Sequence, residues 1–354
     1  MQQINWAGYT LKKSFYDLNF EDLAKLLEEN SLNPSAASLL YNWHYKKKNI
    51  SPCTTDVSKK TLSYIDENLH FDLPEIDTVH QSSDKTVKFL FKLKDGSKVE
   101  SVLIPFHGKY SICLSSQVGC AMNCSFCFTG TQGLTRNLNT SEIVGQFIMA
   151  WNWLLENRSG EERILNIVFM GQGEPLHNFD AVKKACDIFL CKNGASIGNQ
   201  KITISTSGFI PGLKRWSEEI PGVNLALSLH SPYAEKRNEL IPINKKYPLE
   251  EVLSYIDDIP LRRKQFITYE YLLIKNFNDR EDDARKTGQL LQGKEAFINL
   301  IPFNPFPGSE YERPKEEVVE SFKNILKEYK IPTLVRTTKG DDVLAACGQL
   351  NSKG

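Results

Sequence analysis

From Tyr110 onward the chain alternates between short apolar runs and amphipathic stretches, and this alternation constrains the fold more than any other feature. The runs Ile112–Leu114, Ile164–Met170, Ile202–Ser205, Val223–Leu229, Phe266–Leu273, Phe297–Ile301 and Thr333–Arg336 read as strands. Ser141–Leu155, Ala181–Leu190, Leu249–Ile256, Asp282–Leu291 and Lys315–Tyr329 read as amphipathic helices between them. The first of these helices opens on Asn139-Thr140-Ser141-Glu142, a capping-box-like start. Repeated βα units predict an α/β fold: a parallel sheet with right-handed crossovers, closed or partly closed as a barrel.

The first eighty or so residues follow another pattern. Leu23, Leu26 and Leu27 share one helical face, and a second helical run after Asn33-Pro34-Ser35 carries Ala37, Leu39, Leu40, Tyr41 and Trp43. That run ends in Tyr45-Lys46-Lys47-Lys48, before Ser51-Pro52. The basic corner reads either as a solvated helix end complementing the helix dipole or as a contact for RNA phosphates. Further on, Val87–Leu93 and Val99–Ile104 flank Asp95-Gly96 and predict a β-hairpin.

With 354 residues the chain has room for about two domains, or one large domain with an appendage, at roughly 150 residues each. Its 43 basic and 43 acidic side chains balance, so net charge gives no hint of a nucleic-acid partner. No stretch approaches the ~18 apolar residues of a membrane helix. Met1-Gln2-Gln3-Ile4-Asn5-Trp6 lacks the zones of a signal peptide, so a cytoplasmic protein without a membrane partner is expected. Eight cysteines in such a compartment favour metal binding or catalysis over a disulfide framework.

Three of them, Cys120, Cys124 and Cys127, fall within eight residues, spaced C-x3-C-x2-C in a loop just after a strand. Three thiolates can hold three irons of a 4Fe–4S cube and leave the fourth open to an outside ligand, here the amino and carboxylate groups of S-adenosylmethionine (SAM). The spacing, with Phe126 before the last cysteine, resembles the radical SAM superfamily. The alternative is structural zinc with Cys113 as a fourth ligand, although zinc pairs usually come as two separated C-x2–4-C units. A SAM site would lie at the carboxyl ends of the strands. Those ends are polar: Gly171-Gln172-Gly173-Glu174-Pro175, Ser205-Thr206-Ser207-Gly208, Ser228-Leu229-His230 and Pro302-Phe303-Asn304-Pro305. Each alone reads as a cap or turn, and four at one mouth read as a ligand site. Of the other thiols, Cys347 lies in a Gly-flanked terminal loop and Cys113 lies seven residues before the cluster loop. Cys186 and Cys191 read as small hydrophobes at an apolar-faced helix, and Cys53 has no evident role.

The chain resembles the RlmN/Cfr group of radical SAM ribosomal RNA methyltransferases. The resemblance rests on Ser115–Cys120, the cysteine loop, Met170–Leu176, Ser205–Gly208, Leu227–His230, Pro242–Tyr247, Asn299–Gly308 and Gly340–Leu350. It implies a partial TIM-like (β/α)6 barrel over 111–340, an RNA-binding helical domain over 1–80, a β-hairpin extension over 81–110 and a catalytic-cysteine loop over 341–354. It also implies one 4Fe–4S cluster on Cys120, Cys124 and Cys127. The implied SAM set is Gly173, Glu174, Ser205, Ser228, Leu229, His230 and Asn304. Cys347 is implied as the methyl carrier, Cys113 as its resolving partner and Glu100 as a proton acceptor, a job for which Cys113 competes.

The implied target is adenine carbon 2 or carbon 8. Neither is a nucleophile, so the transfer must be split into easier steps. The resemblance implies that Cys347 takes a methyl from one SAM, that a second SAM provides the radical that activates it, and that Cys113 releases the product and leaves a disulfide. Reductive cleavage of the second SAM needs an external one-electron reductant, the disulfide must be reduced between turnovers, and a monomer is expected. Pro175 after Gly-Glu, Val118 and Asn304–Gly308 are similar to the carbon-2 type, whereas His230-Ser231-Pro232-Tyr233 is similar to the carbon-8 type. Gln172 and Phe128-Thr129-Gly130 depart from the usual carbon-2 pattern. The carbon-2 type modifies an adenosine in the peptidyl-transferase centre of 23S rRNA, and some members also modify a tRNA anticodon-loop adenosine. Two alternatives stand beside it: a carbon-8 enzyme conferring antibiotic resistance, and a zinc-stabilised RNA-binding protein.

Overall fold

The computed structural model describes residues 12–51, 53, 56–158, 163–262 and 265–351; Met1–Trp6, Pro52 and the last three residues of the tail lie outside them. The described residues form two compact units. One takes them from Met1–Glu75, Leu138–Glu162 and Asp180–Gly198, the other from Ile76–Asn137, Arg163–Phe179 and Asn199–Gly354. The sequence segments 1–80, 81–110, 111–340 and 341–354 cut the chain differently. Most of the first two crossover helices cluster with the N-terminal helices, through long-range contacts that no local pattern reveals.

The first unit is helical: α1 (Phe20–Glu29), α2 (Ala36–Tyr41), α3 (Lys59–Asn68), α4 (Thr140–Asn157) and nearly all of α5 (Phe179–Leu190). The caps are those that short polar residues provide. Asn19 accepts from Asp22 N at 2.8 Å, and Asn139 and Glu142 form the reciprocal box that the sequence predicts. Leu23 and Leu27 are fully buried. The centre is aromatic: the His44 ring lies 4.7 Å from Phe15 and 4.9 Å from Phe71, with Tyr16, Tyr41 and Tyr45 around them. His44 Nδ1 lies 2.9 Å from the Asn49 carbonyl, Nε2 has no hydrogen-bond partner, and burial pulls the imidazole down to about 4. In the basic corner, Lys47 and Lys48 lie over the rings of Trp43 and Trp151 at 5.5 and 4.0 Å.

The second unit is built on one ten-stranded sheet whose strands lie side by side in chain order. They are β1 (Glu75–Gln81), β2 (Val87–Lys92), β3 (Lys98–Phe106), β4 (Lys109–Cys113), β5 (Ile164–Phe169), β6 (Ile202–Thr206), β7 (Asn224–Ser228), β8 (Ile267–Leu273), β9 (Ala296–Pro302) and β10 (Thr333–Val335). β2, β3 and β4 pair antiparallel, so the expected hairpin is present and continues the main sheet. From β4 to β10 every neighbouring pair is parallel. These are six strands of five to seven residues and a seventh of three, the α/β architecture that the alternation predicts. The register aligns Ser228 with Glu270 and Glu270 with Asn299, so polar side chains form a row across three strands. The helices of this unit are α6 (Ile210–Glu219), α7 (Ala234–Leu240), α8 (Leu249–Asp257), α9 (Glu281–Leu291) and α10 (Glu316–Glu328). Among the described residues no helix is long and apolar enough to cross a membrane.

His44 supplies a pH test. Its folded-state pKa lies below the ordinary 6.5, so the stability it supports is complete above that value and is lost as the pH falls toward about 4. Thermal unfolding midpoints of the wild type and His44→Phe should therefore draw together or cross between about pH 7 and about pH 5, the wild type falling faster. Parallel midpoints would contradict a buried neutral imidazole.

Candidate active site

The three cysteines of the C-x3-C-x2-C loop lie between two short antiparallel strands, Gln117–Gly119 and Leu134–Asn137. Gly119 must be glycine: its φ is +75°, and a Cβ there would stand 1.9 Å from the Gly133 carbonyl oxygen. The thiols line one cavity of about 160 Å³, together with the polar strand ends. Burial pushes Cys120 up to about 12 and raises Cys124 and Cys127, and ionised neighbours would raise all three further. Three such thiols can become thiolates together only against concentrated positive charge. No group of three or more His, Cys, Asp or Glu among the described residues has the geometry to hold a single metal ion. All three cysteines line one cavity, the donor set of a cubane that takes each thiolate on a separate iron.

Two buried charges build the strand ends facing these thiols. The Glu174 carboxylate accepts from Ser207 N and Ser207 Oγ, both at 2.8 Å, and from Leu176 N at 3.2 Å, tying the end of β5 to that of β6. The Thr206 side chain is a further hydrogen-bond partner of this carboxylate, and burial raises its pKa against these donors. Gly173, at φ +102°, brings the backbone close: a Cβ would stand 2.6 Å from the Gln117 side chain. Arg237 on α7 is fully buried and donates to the carbonyls of Ser207, Ser228 and Leu229 at 2.8, 3.0 and 3.2 Å, and to Asn244 Oδ1. Its charge also faces Cys124. Ser205, Ser228 and His230 line the cavity. Leu229 does not; it is fully buried, and its backbone joins β7 to the Glu270 carbonyl at 2.9 Å.

His230 sits at φ +54°, an uncommon conformation for a residue with a side chain. Asn278 holds it there, donating to the His230 carbonyl at 2.6 Å, while Leu272 N donates to the ring Nδ1 at 3.1 Å. Nδ1 therefore accepts, and the proton is assigned to Nε2. Burial, with Arg237 nearby, pulls this imidazole down to about 3, so it stays neutral. Its ring stands edge-on to Phe126 at 4.6 Å.

A second, smaller cavity of about 50 Å³ adjoins the first, and Cys347 lines both. Cys113 and Asn304 line only the second. Among the described residues Cys347 is the one exposed cysteine residue, although burial around its sulfur raises the thiol; Cys113 is buried, and burial pushes it up to about 12. Two residues that sequence reasoning passed over stand here. Glu270 lines the first cavity, with Oε1 bonded to Asn299 at 2.9 Å and Oε2 buried without a partner. Arg336 lines the second cavity and is an electrostatic neighbour of Cys347, Glu270 and Cys113. A carboxylate inside the apolar run Phe266–Leu273 and an arginine closing the last strand were the available signals. Glu100 lines neither cavity. It is buried elsewhere in the unit, 3.1 Å from Lys88 Nζ, and burial raises its pKa against the pull of that lysine.

Comparison with known proteins shows the family of the chain. A model described as the Radical SAM superfamily matches residues 114–287. The chain is 45% identical over 331 residues to the dual-specificity RNA methyltransferase RlmN of Rhodopseudomonas palustris, covering 90% of this chain and 82% of the relative. It is 42% identical over 358 residues to the protein of the same name from Bradyrhizobium diazoefficiens, covering 97% and 89%. The crystal structure of a radical SAM methyltransferase from Sphaerobacter thermophilus is similar with a TM-score of 0.88 and 34% identity, over 96% of this chain and 100% of that one.

Arg237→Met removes every donor that Arg237 supplies, taking them from the Ser207 and Ser228 carbonyls, whereas the Leu229 carbonyl keeps its bond from Ser231 N at 2.7 Å. It should lower stability by about 3 kcal/mol or more, read from denaturant unfolding. A loss under about 1 kcal/mol would mean that the strand ends hold without it.

Proposed function

Because the chain belongs to the RlmN family of radical SAM RNA methyltransferases, we propose that it methylates carbon 2 of an adenosine in the peptidyl-transferase centre of 23S rRNA. A tRNA anticodon-loop adenosine is the second substrate in this reading; the relatives' names print a dual specificity and an RNA substrate. The family uses a 4Fe–4S cluster and SAM. Cys120, Cys124 and Cys127 would hold the cluster, with Gly173, Glu174, Ser205 and Ser228 to His230 around the SAM. When bound, the pair supplies methyl groups and the one-electron chemistry that activates a methyl carbon, at the expense of two SAM per turnover.

The observation that carries the reading is the position of Cys347 in the wall shared by the two cavities. On the cluster side its sulfur can receive a methyl group. On the other side it meets Cys113, in a chamber that also holds Arg336. Burial raises both thiols, and the Arg336 charge works against it, toward the thiolate form that each needs in order to attack. In the carbon-transfer step Cys347 Sγ carries the carbon to the base as a bridging methylene. The ring carbon loses its proton, Cys113 as thiolate bonds to Cys347 Sγ, the bond from that sulfur to the base-linked carbon breaks with its electron pair taking up a proton to complete the methyl group, and the two cysteines are left as a disulfide. An external reductant reopens it, which suits a monomer working in a reducing cytoplasm. The target base must leave its stack to reach this depth. The helical first unit, with its basic corner of Lys46–Lys48, is the RNA-docking part in this reading.

Anaerobic reaction of the iron–sulfur protein with unmodified 23S rRNA, followed by nucleoside mass spectrometry, tests the proposal. 2-Methyladenosine is expected. 8-Methyladenosine in its place would overturn the position, and no methyladenosine with a fully loaded cluster would overturn the reaction.

A further inference from the structure

Lys88 on β2 and Glu100 on β3 are diagonal neighbours across an antiparallel pair: Lys88 lies opposite Val102, and Leu90 opposite Glu100. They are 8% and 4% exposed, and Nζ stands 3.1 Å from Oε1. Each has a second bond, and both of those bonds end on the C-terminal segment. Lys88 Nζ donates to the Leu344 carbonyl at 3.3 Å. Glu100 Oε2 accepts from Asn351 N at 2.6 Å. Between these anchor points runs Ala345–Leu350, the arch that carries Cys347. The polarity is matched: a cation meets a carbonyl at one foot and an anion meets an N–H at the other. Leu344 is itself left-handed, at φ +50°, a conformation that a leucine adopts only when held. Glu100 is fixed from behind as well, its N–H donating to Gln172 Oε1 at 2.9 Å and its carbonyl accepting from Ser115 Oγ at 2.6 Å.

We propose that the Lys88–Glu100 pair is a positioning clamp: two opposite charges, paired to each other, grip the two feet of the Cys347 arch and keep its sulfur in the wall between the two cavities. Glu100 is then a positioning residue and not the acceptor of a proton from the base. Each of its carboxylate oxygens already has a donor, and it lines neither cavity, whereas Glu270 has a bare oxygen beside the first. The functional consequence rests on the reading of Cys347 as the methyl carrier; the grip itself does not.

Hydrogen exchange measured by mass spectrometry on the cluster-containing protein tests the grip. The paired exchange Lys88→Glu with Glu100→Lys keeps an ion pair between the strands but sets a carboxylate against the Leu344 carbonyl and an ammonium against the Asn351 N–H. Amides of residues 344–351 should exchange roughly tenfold faster or more, while β2 and β3 stay protected. Wild-type protection of 344–351 in this variant would reduce the pair to a strand-pairing device and overturn the clamp. Should the exchanged pair not fold, Lys88→Met removes one anchor with a chain of similar length, and the same confined rise is expected; an unchanged pattern overturns the proposal. Glu100→Gln separates the clamp from a proton acceptor. A clamp slows the appearance of a methyl group on Cys347 from SAM before any RNA is added, by roughly tenfold. An acceptor acting on the base leaves that step at the wild-type rate, which would refute the clamp. If the wild type itself gained no methyl on Cys347, the proposed function would fail, and the exchange result would still decide the grip.

Discussion

Where parallel strands stop side by side, their last carbonyl and amide groups run out of sheet partners, and buried groups of this kind are costly unless satisfied. In this protein two buried charges satisfy them. Arg237 takes the carbonyls of Ser207, Ser228 and Leu229, and Glu174 takes the amides of Ser207 and Leu176. Opposite charges act on opposite backbone groups, and Ser207 is common to both. The cavity wall is therefore held by bonds of fixed direction, which is what a site needs if it is to hold a ligand without reorganising. Neither charge has to move for the chemistry proposed.

The same division of labour runs through the thiols. Three ring the first cavity, Cys347 stands between the cavities, and Cys113 faces only the second. Cys186 is fully buried on α5 and Cys53 is buried, each in a part of the chain that lines neither cavity. Cys347 depends on a segment without helix or strand of its own, beyond a short turn at Asp341–Val343. That segment is tied down from several directions: Phe128 N donates to the Gly348 carbonyl at 2.7 Å, Thr129 Oγ1 to the Leu350 carbonyl at 2.9 Å, and Gln349 Nε2 to the Pro305 carbonyl at 2.8 Å. A reactive atom on a loop becomes precise only through such supports.

Much of this was legible in the sequence, because period and capping are local. The runs at β4 to β10 and the spans of α4, α5, α8, α9 and α10 follow from apolar spacing, and the Asn139–Glu142 cap from its residue types. The α6 and α7 helices were not. The first begins with Ile210-Pro211-Gly212, and proline and glycine usually end helices; the second is only seven residues long and mostly polar. β1 also escaped, since Glu75–Gln81 is largely polar and mostly accessible. The polar strand ends were visible in sequence, but their partners were not. That Glu174 is spoken for by Ser207, or Glu100 by Lys88 and Asn351, depends on residues brought together from 33 and 251 positions away. Resemblance suggested a catalytic Glu100, and only its surroundings suggest a mechanical one.

The central claim is that the transferred carbon passes through Cys347 as a bridging methylene, and an isotope measurement tests it most directly. With SAM deuterated at its methyl group, a carbon routed in this way loses one deuterium when the methylene forms and gains one hydrogen when the bond to sulfur breaks. The methyladenosine recovered from RNA should then carry two deuteriums and one hydrogen in its new methyl group. A product that retains all three deuteriums would mean direct transfer to the base, and would contradict Cys347 as the methyl carrier standing between the two cavities.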